Sequence, residues 1–133
     1  MFDFARPEDV DALKDLWLSC FGGPREYVDF YYSRRFLPED TLVWREGGRP
    51  VSMMTLMRVR QAGEDGAYVY AVATSPEYRG RGLMTRLDAW SREVLEQRGA
   101  KFSALVPAGP ELFPMYQGLG YRAAYPVWVR EVR

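Results

Sequence analysis

The sequence predicts an α+β domain built on one mixed, mostly antiparallel sheet. Three observations carry this. Residues 41–74 hold three strand-like runs joined by turns so short that the strands must pair antiparallel. Residues 67–106 then read strand, long helix, strand, a crossover that makes its two strands parallel. Apolar residues at helical spacing fill the amino-terminal segment and a short stretch before the last strand.

The elements follow in order. "FDFA" is a short first strand, and "RPEDVDALKDLWLSCF" is a helix. Pro7 suits its first turn, and Glu8 and Asp9 complement its dipole. Val10, Leu13, Trp17 and Cys20 share its apolar face, and "GGP" at 22–24 ends it. A second helix covers 25–36, with Val28, Tyr31, Tyr32 and Phe36 on one side. "TLVWRE" and "PVSMMTLMRVRQ" are strands flanking the hairpin signal "EGGR". The second is apolar on both faces from Met53 to Leu56, as a central strand would be. "GEDG" reads as a turn and "AYVYAVAT" as the next strand. Leu83, Leu87, Trp90 and Val94 define a long helix closed by Gly99. "KFSALV" is a strand, and "PAGPELFPMYQGLG" holds a short helix that Pro114 limits to a late start or a kink. "YRAAYPVWVREVR" supplies one last strand. Residues 1–133 are expected to form a single domain with about four helices.

Composition narrows the function. Eighteen basic residues balance eighteen acidic ones, which argues against broad nucleic-acid or anionic-membrane binding. No apolar run approaches membrane-spanning length, the amino end has no signal-peptide pattern, and the single cysteine allows no intrachain disulfide. A cytoplasmic setting is expected. There is no histidine, which removes Ser-His-Asp and Cys-His catalysis and imidazole-rich zinc sites, so no metal is expected.

The informative stretch is "TSPEYRGRGLMTRLDAW", where the third consecutive strand ends and the long helix begins. A helix amino terminus offers unpaired N–H groups and a partial positive charge, which together make an anion site. Gly80 and Gly82 leave those amides open to approach, and Arg79, Arg81 and Arg86 add charge. Converging amides fit a pyrophosphate better than a carboxylate. The P-loop pattern is absent. "GRGLMT" misses the dinucleotide fingerprint at Thr85, and it follows antiparallel strands rather than opening a parallel sheet. The plain alternative is an exposed, arginine-rich helix start.

With "VATSPEYRGRGLMTRL", then "FSALVP", then "MYQGLGY", the chain resembles the GCN5-related N-acetyltransferases (GNAT), most closely the amino-terminal domain of the Eis-like branch. Their acetyl-CoA signature, [RQ]-x-x-G-x-[GA], is matched by Arg79-Gly80-Arg81-Gly82-Leu83-Met84, with Met84 departing from the usual small residue. The resemblance covers nearly the whole chain. It implies the GNAT fold, in which the fourth and fifth strands splay apart and the pantetheine of CoA enters the gap. That role would fall on Val72, Ala73 and Thr74, and the pyrophosphate would take the amides from Arg79 to Met84.

The implied reaction is direct attack of an amine on the acetyl thioester. The oxyanion needs a main-chain N–H near Val72–Thr74, and the departing thiolate needs a proton. Tyr116 matches the family's general acid; its plain reading is aromatic packing. Tyr121 is read as packing. Glu64 and Asp65 are the acids nearest the position where family members often place a base, and they read better as a solvated turn. In the Eis-like branch the base resembles the carboxy terminus of additional domains, so no base is named. The fold would place residues 21–32 beside the acceptor, with Glu26 and Asp29 as ammonium partners. Trp17, Trp44 and Trp90 are read as core, and Cys20 as a buried thiol. Only 13 residues follow Gly120, so "VWVREV" is expected as an exposed edge. Such an edge would be covered by a second copy, or by further chain if this is a piece of a longer protein. The expected partners are acetyl-CoA and an amine on a small molecule or peptide. A CoA-binding module without turnover is the main rival, and a nicotinamide-binding domain is disfavoured by the antiparallel strands.

Overall fold

The computed structural model describes residues 1–124 and 127–132. Among them one seven-stranded sheet runs in the order β1 (Phe2–Phe4), β2 (Thr41–Glu46), β3 (Arg49–Gln61), β4 (Glu64–Thr74), β5 (Phe102–Leu105), β7 (Val127–Glu131), β6 (Arg122–Ala124). The pair β4–β5 is parallel and every other pair is antiparallel. Helices α1 (Val10–Phe21) and α2 (Arg25–Arg34) bury Leu13, Trp17, Val28 and Tyr31 against Met53 and Ala73 on one face. Helix α3 (Leu83–Gln97) buries Leu87 and Leu95 against Met54, Leu56 and Val69 on the other. The alternation of Met53 and Met54 feeds both layers, which is why β3 is central. The short helix α4 (Phe113–Gly118) starts late, with Pro114 in its first turn where a missing N–H costs nothing.

Three expectations are corrected. Pro7–Asp9 forms a separate 3-10 turn before α1. The "GEDG" turn is shorter than expected: Glu64, Asp65 and Gly66 already lie in β4. Gly66 is there because Phe102 of β5 lies over it, and a Cβ would run into that ring. The carboxy-terminal segment makes two strands rather than one. "VWVREV" is therefore no exposed edge: β7 lies between β5 and β6, with Trp128 and Arg130 buried. Three residues of β6 are enough to cover it, which removes the ground for expecting a second copy there. Tyr125 and Pro126, inside the single strand expected from the sequence, lie outside the described residues, as does Arg133.

One feature of β4 positions the site. β3 and β4 pair as Met53↔Ala73 and then Thr55↔Tyr70, so Ala71 and Val72 together oppose Met54. This is a β-bulge, and Ala71 takes φ +53° to make it. On the other side, β4 pairs with β5 only from Gly66 to Tyr68. From Val69 onward β4 has no partner on that side, and the two strands part.

Candidate active site

The parting strands open a cleft of about 500 Å³. Its walls are β4 from Tyr68 to Val72, the end of β5 with Val106 and Pro107, and Tyr116 of α4. Trp17 and Phe21 of α1 close one end. An uncovered strand edge exposes main-chain donors and acceptors that a ligand can pair with. Of the three strand residues expected to do so, Val72 lines the cleft. Thr74 turns its carbonyl away from β3, where it accepts from Arg79 Nε at 3.0 Å and from Cys20 Sγ at 3.4 Å. Ala73 instead faces β3, its carbonyl accepting from Ser52 Oγ at 3.3 Å.

A second hollow of about 140 Å³ follows at the start of α3, lined by Thr74, Arg79, Gly80, Gly82, Leu83 and Met84 among others. Gly82 caps α3 at φ +75° and Gly80 has φ +77°, both in the left-handed region that favours glycine. A Cβ at either would meet no atom within 4 Å, so in the protein alone it is backbone geometry that selects these glycines. No side chain caps α3, and the first-turn amides of Leu83, Met84 and Thr85 have no intrahelical acceptors.

The three arginines separate. Arg79 lines the hollow, with its guanidinium tied to Thr74 O and, at 3.3 Å, to Cys20 Sγ. Arg81 donates to the Glu77 carbonyl at 3.2 Å and lies 4.7 Å over the Tyr78 ring. Arg86 lies over Trp44 at 5.8 Å, away from the hollow. The groups left without partners here are main-chain amides of the first turn of α3 more than arginine side chains.

Tyr116 is buried on the cleft wall and makes no side-chain hydrogen bond among the described residues. Burial pushes its phenol up, and the negative charge of Asp88 adds to that. It packs edge-on to Tyr121 at 5.9 Å. Tyr121 is locked to Ser103 by a 2.8 Å hydroxyl contact, so it is indeed packing. Behind this pair, Arg130 Nη1 donates to Asp88 at 2.8 Å and to the Leu119 carbonyl at 3.0 Å, pinning β7 to α3 and to the end of α4.

At the α1–α2 end of the cleft, Trp17 contacts Tyr27, Tyr31 and Tyr70 with ring centroids 5.1–5.9 Å apart. The Tyr27 and Tyr70 hydroxyls meet at 3.0 Å. Tyr70 was not singled out from the sequence, yet its period-two spacing from Tyr68 places both on one strand face. Asp29 is spent on Lys14 at 2.9 Å, and Glu26 is exposed. Asp65, in β4 rather than in a turn, is exposed and faces its cross-strand partner Arg60 at 3.4 Å. Trp44 and Trp90 are half-buried beside Phe2. Cys20 is half-buried, not core, because the last turn of α1 brings it to the end of β4. Among the described residues no cluster of acidic and cysteine side chains could hold a metal, and no helix is long and apolar enough to cross a membrane.

Comparison with known families matches residues 2–124 to the acetyltransferase (GNAT) domain. The chain belongs to the GNAT family. The fold recurs widely among GNAT proteins at low identity. Escherichia coli YhbS, solved with CoA, superposes with a TM-score of 0.79 at 20% identity, over 100% of this chain and 81% of that one. A Trypanosoma brucei acetyltransferase gives 0.76 at 21% identity, covering 93% of each chain. A chain of the NatC complex, solved with Gag peptide and CoA, gives 0.79 at 12% identity, covering 100% of this chain and 98% of that one. No curated protein matches. The GNAT signature expected from "YRGRGLM" falls on the hollow before α3, and the expected splay falls between β4 and β5.

Proposed function

We propose that this GNAT domain transfers the acetyl group of acetyl-CoA to the nitrogen of an amine. The observation that carries the reading is continuity: the open edge of β4 from Val69 to Thr74 runs directly into the amide hollow at Arg79–Thr85. The pantetheine arm takes the open β4 edge at Val72 and Thr74, with Ala73 between them holding β4 to β3. The pyrophosphate takes the amides from Arg79 through Met84, where the α3 dipole favours negative charge. The thioester then lies in the cleft beside Tyr116.

The amine nitrogen attacks the thioester carbon, and its lone pair becomes the new C–N bond. A β4 main-chain N–H near Val72 holds the oxyanion. The C–S bond breaks as the tetrahedral intermediate collapses. Tyr116 gives its proton to the departing thiolate, the new C–N nitrogen sheds its surplus proton to water, and Tyr116 recovers one from that water.

Calorimetric titration of acetyl-CoA into the wild-type protein and into Gly82→Glu tests the donor site. Saturable binding in the wild type, lost in a folded Gly82→Glu, supports it, because the carboxylate repels phosphate at the amides. Equal binding by both proteins, or none by the wild type, overturns it.

A further inference from the structure

The cleft wall is short of charge. Among the described residues that line it there is no Asp, Glu, Lys or Arg, and its titratable side chains are the phenols Tyr68, Tyr70 and Tyr116. The charged groups on the surrounding elements are engaged elsewhere or face solvent. Asp29 of α2 is paired with Lys14 of α1. Asp88 of α3 is buried against Arg130 of β7. Arg79 is tied to Thr74 O and the Cys20 thiol, and Arg25 and Glu26 are exposed at the start of α2. The β5 side contributes Leu105, Val106 and Pro107. At the acceptor end the surfaces are Trp17, Phe21, Tyr27 and Tyr70.

Two consequences follow. A protonated ammonium entering this cleft would shed water without gaining a carboxylate, a cost of several kcal/mol in general. A phenol cannot accept a proton near pH 7, and burial raises Tyr70 and Tyr116 further from doing so. Among the described residues the cleft therefore offers a cationic amine ring faces but no carboxylate to pair with, and no base to deprotonate it.

We propose that the acceptor is a weakly basic amine on an aromatic body, of the arylamine class, which enters the cleft already uncharged. This rests on the acetyl-CoA reading above. The aromatic body lies against Trp17, Phe21 and Tyr70, and the Tyr27–Tyr70 hydroxyl pair offers the amine a hydrogen-bond acceptor. After attack the new N–C bond leaves a positive nitrogen, whose surplus proton passes to water. The products are the N-acetyl arylamine and free CoA.

The test uses the full chain, with CoA release followed for 4-methoxyaniline and for spermidine after acetyl-CoA binding has been measured separately. The expected kcat/KM favours the arylamine by at least about tenfold, the scale on which an apolar pocket discriminates. With ring-substituted anilines of graded basicity, the pH at which log kcat/KM levels off should move with each acceptor's own measured pKa. A protein base would hold that break at one pH. Phe21→Glu, at an exposed helix end, should lower kcat/KM for the arylamine and raise it for spermidine. Faster use of spermidine, a break fixed across acceptors, or acetyl-CoA bound with neither amine acetylated overturns the inference and leaves the donor site standing. Absence of acetyl-CoA binding defeats the donor site itself.

Discussion

Replacing Tyr116 by Phe removes one hydroxyl from the cleft wall and nothing else. The hydroxyl makes no side-chain hydrogen bond among the described residues, so its loss leaves no partner stranded, and stability should change by less than about 1 kcal/mol. Catalysis should suffer far more. A positioned general acid contributes roughly 10²–10⁴-fold, which is about 3–5 kcal/mol of barrier. The assay is thiol release at saturating acetyl-CoA, with calorimetry of CoA binding alongside, and Kd should stay within about twofold because the phenol meets the donor only as the thiolate leaves. The pH profile gives a second reading. An acid works only below its own pKa, and burial together with Asp88 raises that of Tyr116. Wild-type activity should therefore show no loss of this acid until the pH is above about 10, the ordinary phenol value. A Tyr116→Phe protein within about threefold of wild type, or one that loses kcat and CoA affinity in parallel, would refute the acid role and leave Tyr116 as packing.

Three further outcomes are expected. Gly82→Ala places a Cβ in open space but forces alanine into the left-handed region, so it should cost about 1–2 kcal/mol and lower Tm by several degrees, with Gly82→Asn milder. Asp88→Asn strands Arg130 in the interior and should cost about 3–5 kcal/mol in urea titrations, whereas Asp88→Leu with Arg130→Met should recover most of it. Asp3 and Asp9 share Arg45, whose hydrogen bonds hold both carboxyls below their usual range. Their contribution is complete above the unfolded value of about 3.9 and is lost as pH falls through the lower folded values. Acid unfolding should thus steepen below about pH 4, and Arg45→Met should flatten that part of the curve.

The parts of the molecule that local sequence writes down were readable. Apolar spacing of 3.6 in α1, α2 and α3, turn glycines at Gly47–Gly48, and the β-rich runs of β2 and β3 are local signals. The glycine-marked start of α3 was readable for the same reason, since Gly80 and Gly82 stand directly before a helical apolar repeat. What failed depended on distant neighbours. Gly66 looked like a turn residue because nothing local reveals that Phe102 will lie on it. β6 was missed because three residues carry too little pattern to separate them from the strand that follows. Local sequence also could not reveal where the added charge would rest: the Arg86 side chain lies over the Trp44 ring, and Arg81 on the Tyr78 ring and the Glu77 carbonyl. The cleft's aromatic end was hidden for a related reason: Trp17, Tyr27 and Tyr70 belong to three different elements, and of the three only Trp17 was read individually, as core.

The bulge in β4 links the core to the chemistry. Tyr70 and Ala73 both face the α1–α2 layer although they are three residues apart, while a regular strand repeats every two. The extra residue resets the phase, so one strand presents Tyr70 to the acceptor end, Val72 to the cleft and Ala73 to the core. It also increases the local bend, which carries β4 away from β5 just after their last pair, Tyr68 and Ala104. The cost is Ala71 at φ +53°, on the order of 1–3 kcal/mol for a residue that is not glycine. That strain is held in place by the fully buried Met53 and Met54, whose opposite faces anchor the two layers on either side of the bulge. The cleft is thus a consequence of how the core is packed. A substitution at Met54, which touches no ligand, would act on the site through the position of Val72.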